Sequence, residues 1–382
     1  MHFWGGGEKL HLEYAEKFLE KGYRVILFIG RDSPLDLRAL DKRFIKEYVH
    51  VNKLSFLNPL KVYLLSLRIK KYKPKYIVFS ASQDMKLAAL AGAKAGVPSR
   101  VYLRGLAVPV KNNFFNRRLF YKVITHFAMN SLETERCTLG NFDRSKISAL
   151  VRVIYHGIDL DEFRPGLKSD MEFRAGFSGV IIGNAGRLTP QKSQIDLIKA
   201  AAILKERSLD FKILIAGSGD LQEQLQHAIN SYKVTDKVTL IGFVRDMPRF
   251  LSNIDVFVLT SHWEGFGYVL VESMALGKPL VAYQVSSNPE IIEDGANGFL
   301  CTINIQDLAA KIEQLILDAE LRRIMGEKGR KIAGERFGID DRVNEFEVFI
   351  NEKVPVIHNQ SGSLGTSFLG NESKGHRRNY QR

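Results

Sequence analysis

Short apolar runs rich in Val, Ile, Phe and Tyr alternate along this chain with longer stretches whose apolar residues recur at helical spacing. In the first half, residues 23–29, 76–80, 100–103 and 127–130 read as strands, with helices at 9–21 and 85–95 between them. In the second half, strands fall at 180–183, 211–216, 238–241, 254–259 and 279–283, each followed by a helical pattern. Apolar runs separated by helices predict βαβ units and parallel sheets, so the fold class is α/β with two Rossmann-like domains in tandem. The expected boundaries are a first domain over 1–160, a linker over 161–178 and a second domain over 179–337. A closing helix at 338–353 and a disordered tail at 354–382 follow. The linker is marked by Gly157 and Pro165 among scattered charges, and the tail by Ser, Gly, Asn and Arg with little apolar content.

A length of 382 residues suits two α/β domains rather than one core. No apolar run approaches the roughly 18 to 20 residues that span a bilayer. The opening, Met1 to Gly7, has no basic stretch followed by an apolar core, so no signal peptide is expected. The glycines at 5–7 come so early that the usual strand before such a loop is expected to be very short, or to lie upstream of this start. Cys137 and Cys301 are far apart and fit neither a zinc site nor a disulfide framework, which makes a reducing cytoplasm the expectation. In that compartment the Asn-x-Ser matches at Asn359 and Asn371 carry no meaning.

The formal charge of +13 is unevenly placed, since residues 1–155 hold 28 Lys and Arg against 12 Asp and Glu. A basic surface attracts polyanions, either nucleic acid or an anionic membrane leaflet. No nucleic-acid motif accompanies it. In residues 114–124, Phe115, Leu119, Phe120, Val123 and Ile124 share one helical face, with Arg117, Arg118 and Lys122 elsewhere. Such a helix either lies on an anionic membrane or packs on its own sheet.

Two clusters carry candidate chemistry. Gly186-Arg187-Leu188-Thr189-Pro190-Gln191-Lys192 follows a strand and opens a helix, a turn where a guanidinium and an ammonium can clamp a diphosphate. Farther on, Glu264 falls at the carboxyl end of another strand, with Gly265 and Gly267 allowing close backbone approach and Glu272 about a turn and a half into the next helix. Carboxylates are good acceptors for paired sugar or ribose hydroxyls. Taken singly, each could be a helix cap or a surface pair. Together, at carboxyl ends of strands in one sheet, they favour a nucleotide-sugar site.

The segment from Ser261 to Pro279, with Asn288-Pro289-Glu290 and Asp294 to Phe299 after it, resembles the family-4 glycosyltransferases. Their hallmark is two glutamates with seven residues between them, and Glu264 and Glu272 match it. The resemblance runs from about Gly5 to Phe337, and takes in His156-Gly157-Ile158-Asp159 and the Gly186 to Lys192 segment. It implies a GT-B fold, a retaining hexosyl transfer and no required metal or cofactor. The donor would be a nucleoside-diphosphate sugar, with UDP favoured and GDP next, and the acceptor a glycan or lipid-linked saccharide in polysaccharide or lipopolysaccharide assembly. By the same resemblance Arg187 and Lys192 bind the diphosphate, Glu272 the ribose and Glu264 the donor sugar. Gly5, Gly6 and Gly7 form a loop across the cleft, Gly242 and Phe243 border the base, and Gly265, Phe266 and Gly267 line the donor.

Arg104 stands where many members carry a sugar-contacting His, and is either a phosphate or acceptor ligand or a surface residue beside a turn. His126 reads as structural, and His262 and Trp263 as shaping a loop. The implied protein is cytoplasmic, with the inner face of the cell membrane as a candidate surface. The competing readings are a glycosyltransferase-like scaffold without catalysis, a nucleotide-sugar epimerase and a basic nucleic-acid-binding protein.

Overall fold

The computed structural model describes residues 6–80, 82–164, 166, 174 and 176–354. Gly5, half of the expected linker and nearly all of the expected tail lie outside the described residues.

Two sheets come from the first half. Strands β1 (Ile26–Ile29) and β2 (Ile45–Tyr48) pair with each other, and β3 (Tyr76–Phe79), β4 (Ser99–Arg104), β5 (His126–Met129) and β6 (Leu150–Val153) lie side by side in sequence order. The second half builds one six-stranded sheet from β7 (Val180–Ala185), β8 (Phe211–Ala216), β9 (Val238–Gly242), β10 (Val256–Leu259), β11 (Leu280–Tyr283) and β12 (Gly298–Cys301). Its order is β12-β11-β10-β7-β8-β9. Every one of these pairings is parallel, so each connection is a crossover, and helices supply most of them.

Burial follows from the strand period of two. In β7, Val180 and Ile182 join a core with Leu197, Leu204, Leu308 and Ile312, while Ile181 and Ala185 join a core with Phe250, Leu270 and Val271. Both faces of β7 are therefore apolar and all six of its residues are buried. The chain leaves β7 for β8 and β9, then returns to the other side of β7 as β10. That reversal leaves a crevice between the carboxyl ends of β7 and β10.

The backbone crosses between the halves twice, and the two crossings touch. Ile158 N donates to Phe337 O at 2.8 Å, and Ile339 N donates to Ile158 O at 2.9 Å. A Cβ on Gly157 would sit 2.5 Å from the Ile339 Cα, so only glycine lets the two segments approach. Past this point the helix Ile339–Asn351 returns to the first half. There Val343, Phe346 and Phe349 pack with Tyr14, Val101, Leu103 and Ala128, and Ser99 Oγ donates to Ile350 O at 3.0 Å.

Each expected strand is present, 211–216 with the same ends and the others with ends shifted, whereas nothing in the sequence pattern marked β2, β6, β12 or the helix Pro59–Tyr72. Gly6 and Gly7 are a correction: they begin the helix Gly6–Glu20 rather than forming a loop. The amphipathic face at 114–124 is also divided. Leu119, Phe120, Val123 and Ile124 are buried in a core with Tyr102 and Phe127, and only Phe115 of that face stays exposed.

Gly157→Ala should destabilise the protein by about 2 kcal/mol, the usual cost of overpacking a tight contact. Thermal unfolding followed by circular dichroism will show the lowered midpoint, and an unchanged midpoint would mean that the crossings can separate freely.

Candidate functional site

The turns after β7 and β10 are laced together across a long separation in sequence. His262 N donates to Gln191 O at 2.9 Å, Gln191 Nε2 donates to Trp263 O at 2.8 Å, and Thr260 Oγ1 donates to Lys192 O at 2.9 Å. Asp196, which carried no sequence signal beyond its place in a first helical turn, is the hub. Its Oδ2 accepts from Ser193 Oγ at 2.9 Å and Tyr283 Oη at 3.1 Å, and lies 3.2 Å from His262 Nε2. Burial and the Asp196 carboxylate push the Tyr283 hydroxyl well above the usual tyrosine range, which keeps it a donor. His262 and Trp263 thus help shape this loop.

On this frame Lys192 Nζ meets Glu264 Oε1 at 2.5 Å, with both side chains largely buried. Arg187 is exposed, and among the described residues its guanidinium makes no ion pair. Gly267, at φ 71°, precedes the helix Tyr268–Ala275, which carries Glu272. Glu272 Oε1 accepts from Lys9 Nζ at 2.9 Å, and Lys9 reaches it from the helix Gly6–Glu20 across the cleft. The Lys9 ammonium also lies 4.7 Å from the centroid of the Tyr268 ring. Both glutamates of the hallmark pair are thus buried carboxylates neutralised by a lysine, which burial requires.

Further contacts close the cleft. Ser131 Oγ donates to Gly265 O at 2.6 Å, and a Cβ on Gly265 would lie 2.0 Å from Gly105 O. The Glu290 carboxylate accepts from Leu132 N at 2.8 Å and Glu133 N at 3.1 Å, so a side chain of the second half caps a helix of the first. Gly6 approaches from the opposite side, where its Cβ would be 4.0 Å from Tyr268 Cδ2, whereas Gly7 has open space around it. Gly242, at φ 73°, ends β9 and accepts from Gly217 N at 2.7 Å, and Phe243 beside it is 62% exposed.

Two expected site residues face inward. Phe266 is 3% exposed and packs on Tyr155, His156 and Phe337, so it supports the loop from beneath. Arg104 is 4% exposed; its Nη1 donates to Tyr102 Oη at 2.6 Å and its Nη2 to Val108 O at 2.8 Å. Neither a surface position nor an open anion ligand describes it, because β4 turns its side chain into the protein. His126 is buried, with Nδ1 2.8 Å from Thr125 Oγ1 and Nε2 3.1 Å from Glu352 O, in keeping with a structural role.

A buried titratable cluster lies behind Glu272. Tyr268 Oη is 2.6 Å from Glu13 Oε2 and 2.8 Å from Gly157 O. A tyrosine has one proton, so both contacts are satisfied together when Glu13 is protonated and donates to Oη while Tyr268 donates to Gly157. Burial raises the Glu13 carboxyl to about 7, against the opposing pull of Lys9. Burial also lowers His11 to about 4 and His156 to about 3, which keeps both neutral at pH 7.

These residues lie in a region shared with known proteins. The chain has the GT-B architecture: Anabaena HepE, solved with UDP and glucose, superposes with a TM-score of 0.77 at 23% identity, covering 90% of this chain and 95% of that one. Residues 177–332 match the family described as glycosyl transferases group 1. The UDP-Gal:alpha-D-GlcNAc-diphosphoundecaprenol alpha-1,3-galactosyltransferase of Escherichia coli is 27% identical over 297 residues, 73% of this chain and 76% of that protein. The capsular polysaccharide biosynthesis glycosyltransferase CapM of Staphylococcus aureus is 26% identical over 328 residues, 81% of this chain and 86% of that protein.

The Glu13 proton has a measurable consequence. The native carboxyl holds its proton up to about 7, whereas an unfolded glutamate loses it near 4.5, so this group's contribution to stability falls as pH rises between those values. The two histidines act oppositely, their contribution being lost as pH falls from 6.5 toward 4. The thermal midpoint of Glu13→Gln relative to wild type should therefore climb as pH rises from 5 to about 8. A difference that stays flat across this range would show that Glu13 is ionised throughout.

Proposed function

We propose that this protein is a retaining, metal-independent hexosyltransferase that moves a hexosyl unit from a nucleoside-diphosphate sugar to a glycan or lipid-linked acceptor. The process served is polysaccharide or lipopolysaccharide assembly, on the inner face of the cell membrane. The observation that carries this reading is the pair of turns after β7 and β10, held together by the buried Lys192–Glu264 ion pair, with the exposed Arg187 guanidinium on the first and a second lysine-neutralised carboxylate, Glu272, on the helix that follows the other. A UDP-sugar donor is preferred over a GDP-sugar, in line with the UDP-Gal named for the Escherichia coli relative and the UDP bound by HepE.

In this reading residues 179–337 hold the donor, and residues 1–160 with the returning helix hold the acceptor. Arg187 grips the diphosphate bidentately, and Lys192 exchanges Glu264 for a phosphate oxygen. Glu264, released, accepts from hydroxyls of the donor sugar near its reacting carbon. Glu272 accepts from the two ribose hydroxyls once Lys9 withdraws. Gly265 and Gly267 let backbone approach the sugar, while Gly242 and Phe243 border the base. Gly6 and Gly7 bring the start of the first helix, with its positive dipole end, to the opposite wall. In the transfer the bond from the anomeric carbon to the diphosphate oxygen breaks, and the acceptor oxygen bonds that carbon from the same face. The acceptor's proton passes to the departing diphosphate, whose growing charge Arg187 and Lys192 stabilise.

Calorimetric titration with UDP, GDP and ADP tests the site. One nucleotide, UDP, should bind well. Arg187→Ala should weaken it by about 1.5–3 kcal/mol, the worth of hydrogen bonds to a charged group, and Glu272→Ala by about tenfold. Equal affinity in wild type and Arg187→Ala would remove the diphosphate clamp from this reading, and a folded protein that binds none of the three would favour a scaffold without catalysis. Lys9→Ala should instead tighten UDP by roughly threefold to tenfold, since the ribose no longer competes with an internal ammonium for Glu272.

A further inference from the structure

The basic excess of the first half is concentrated in one segment. Between Glu47 and Glu133 the chain carries fifteen Lys and Arg and a single acidic residue, Asp84. Within it, the helix Pro59–Tyr72 buries Leu65, Ser66 and Ile69, with Leu65 and Ile69 in a core with Leu87 and Ala91 of the next helix. Its opposite side is not polar. Leu60, Tyr63, Leu64 and Leu67 recur at helical spacing and are between 45% and 61% exposed. Leu54 and Leu57, around the preceding turn, extend this stripe with 67% and 50% exposure. The Phe56 ring lies 5.4 Å from that of Phe115, which joins the stripe to exposed Phe114 and Phe115.

Cations sit beside this apolar surface. Lys94 Nζ is 5.4 Å from the Tyr63 ring centroid and Lys86 Nζ is 4.6 Å from that of Phe56. Lys61, Arg117 and Arg118 are exposed. A contiguous apolar patch of this kind marks an interaction surface rather than ordinary solvent exposure. Charge decides what covers it. A second copy meeting the patch about a twofold axis would set Lys61, Lys86 and Lys94 against their own counterparts with hardly a carboxylate to offset them. An anionic lipid surface offers acyl chains to the leucines and phosphates to the cations.

We propose that the face formed by the helix Pro59–Tyr72 and Phe114–Phe115 docks on an anionic bilayer, with the leucine and phenylalanine side chains entering the headgroup boundary. Among the described residues no helix is long and apolar enough to cross a membrane. The loop from Gly105 to Asn113 links Gly265 at the cleft to Phe114 at the bilayer, which sets the cleft beside the membrane. This deepens the acceptor reading given above and rests on it only for the claim that a lipid-linked saccharide reaches the cleft from the same surface.

Flotation of the full chain with vesicles tests it, using about one part phosphatidylglycerol to two parts phosphatidylcholine against phosphatidylcholine alone. Wild type should float with the anionic vesicles and stay down with the neutral ones. Leu60→Ser/Leu64→Ser/Phe115→Ser and, separately, Lys61→Glu/Arg117→Glu should each lower the partition at least about tenfold. Both variants should keep the near-ultraviolet circular dichroism and the UDP affinity of wild type. Wild type left at the bottom with anionic vesicles overturns the proposal, as does a folded variant of either kind that floats like wild type. A dimer that the triple serine variant dissolves, in a protein that does not float, assigns the face to self-contact instead. Flotation without UDP binding would leave the docking face standing and remove the donor reading.

Discussion

The reversal of chain direction about β7 is the constraint on which the site depends. Because β8 and β10 flank β7 on opposite sides, the connections that follow β7 and β10 leave the sheet in different directions. Their first residues are nevertheless adjacent, and Lys192 of one meets Glu264 of the other. The hydrogen bonds from Gln191, His262 and Thr260 across the gap, with Asp196 beneath, hold the two turns as one body. Turns held this way are pre-organised, the condition under which positioned charge lowers a barrier in the reading proposed above.

Buried carboxylates set the second condition. Glu264 and Glu272 are each 6% exposed, and isolated anions at such depth would be costly. Lys192 and Lys9 neutralise them, so the cleft is closed by ion pairs that a polyhydroxyl, diphosphate ligand is chemically suited to replace. The Lys9 pair crosses between the halves, as do the Glu290 cap on the Leu132–Leu139 helix and the bond from Ser131 to Gly265. The two halves are therefore held closed by a few side chains, one of which neutralises Glu272.

Some of this was legible in the chain and some was not, for identifiable reasons. β10, Val256-Phe257-Val258-Leu259, is an uninterrupted apolar run, and β8 is one broken only by Lys212, and both show plainly. The segments of β2, Ile45-Lys46-Glu47-Tyr48, and β6, Leu150-Val151-Arg152-Val153, are short and carry charge, and only their neighbours make them strands. Gly6 and Gly7 read as a loop because glycine is a poor helix former, yet packing of Leu10, Tyr14 and Leu19 carries the helix back over them. Leu119 and Phe120 suited a membrane face equally well until the sheet claimed them, while the exposed leucines of Pro59–Tyr72, at positions 60, 64 and 67, drew no expectation because apolar residues at helical spacing do not say which side of a helix is covered.

The spacing of Glu264 and Glu272, the basic residues after β7 and the alternation of strand with helix are local properties, and the sequence alone determined them along with the α/β class. Which lysine meets which glutamate, that Arg104 and Phe266 turn inward, and that Glu13, Lys9 and Tyr268 converge on Glu272 were decided only by tertiary structure. The physical reason is distance along the chain: residue type sets what a side chain can bind, but partners 72 or 263 positions apart are chosen by the order of strands and the crossing of two backbone segments.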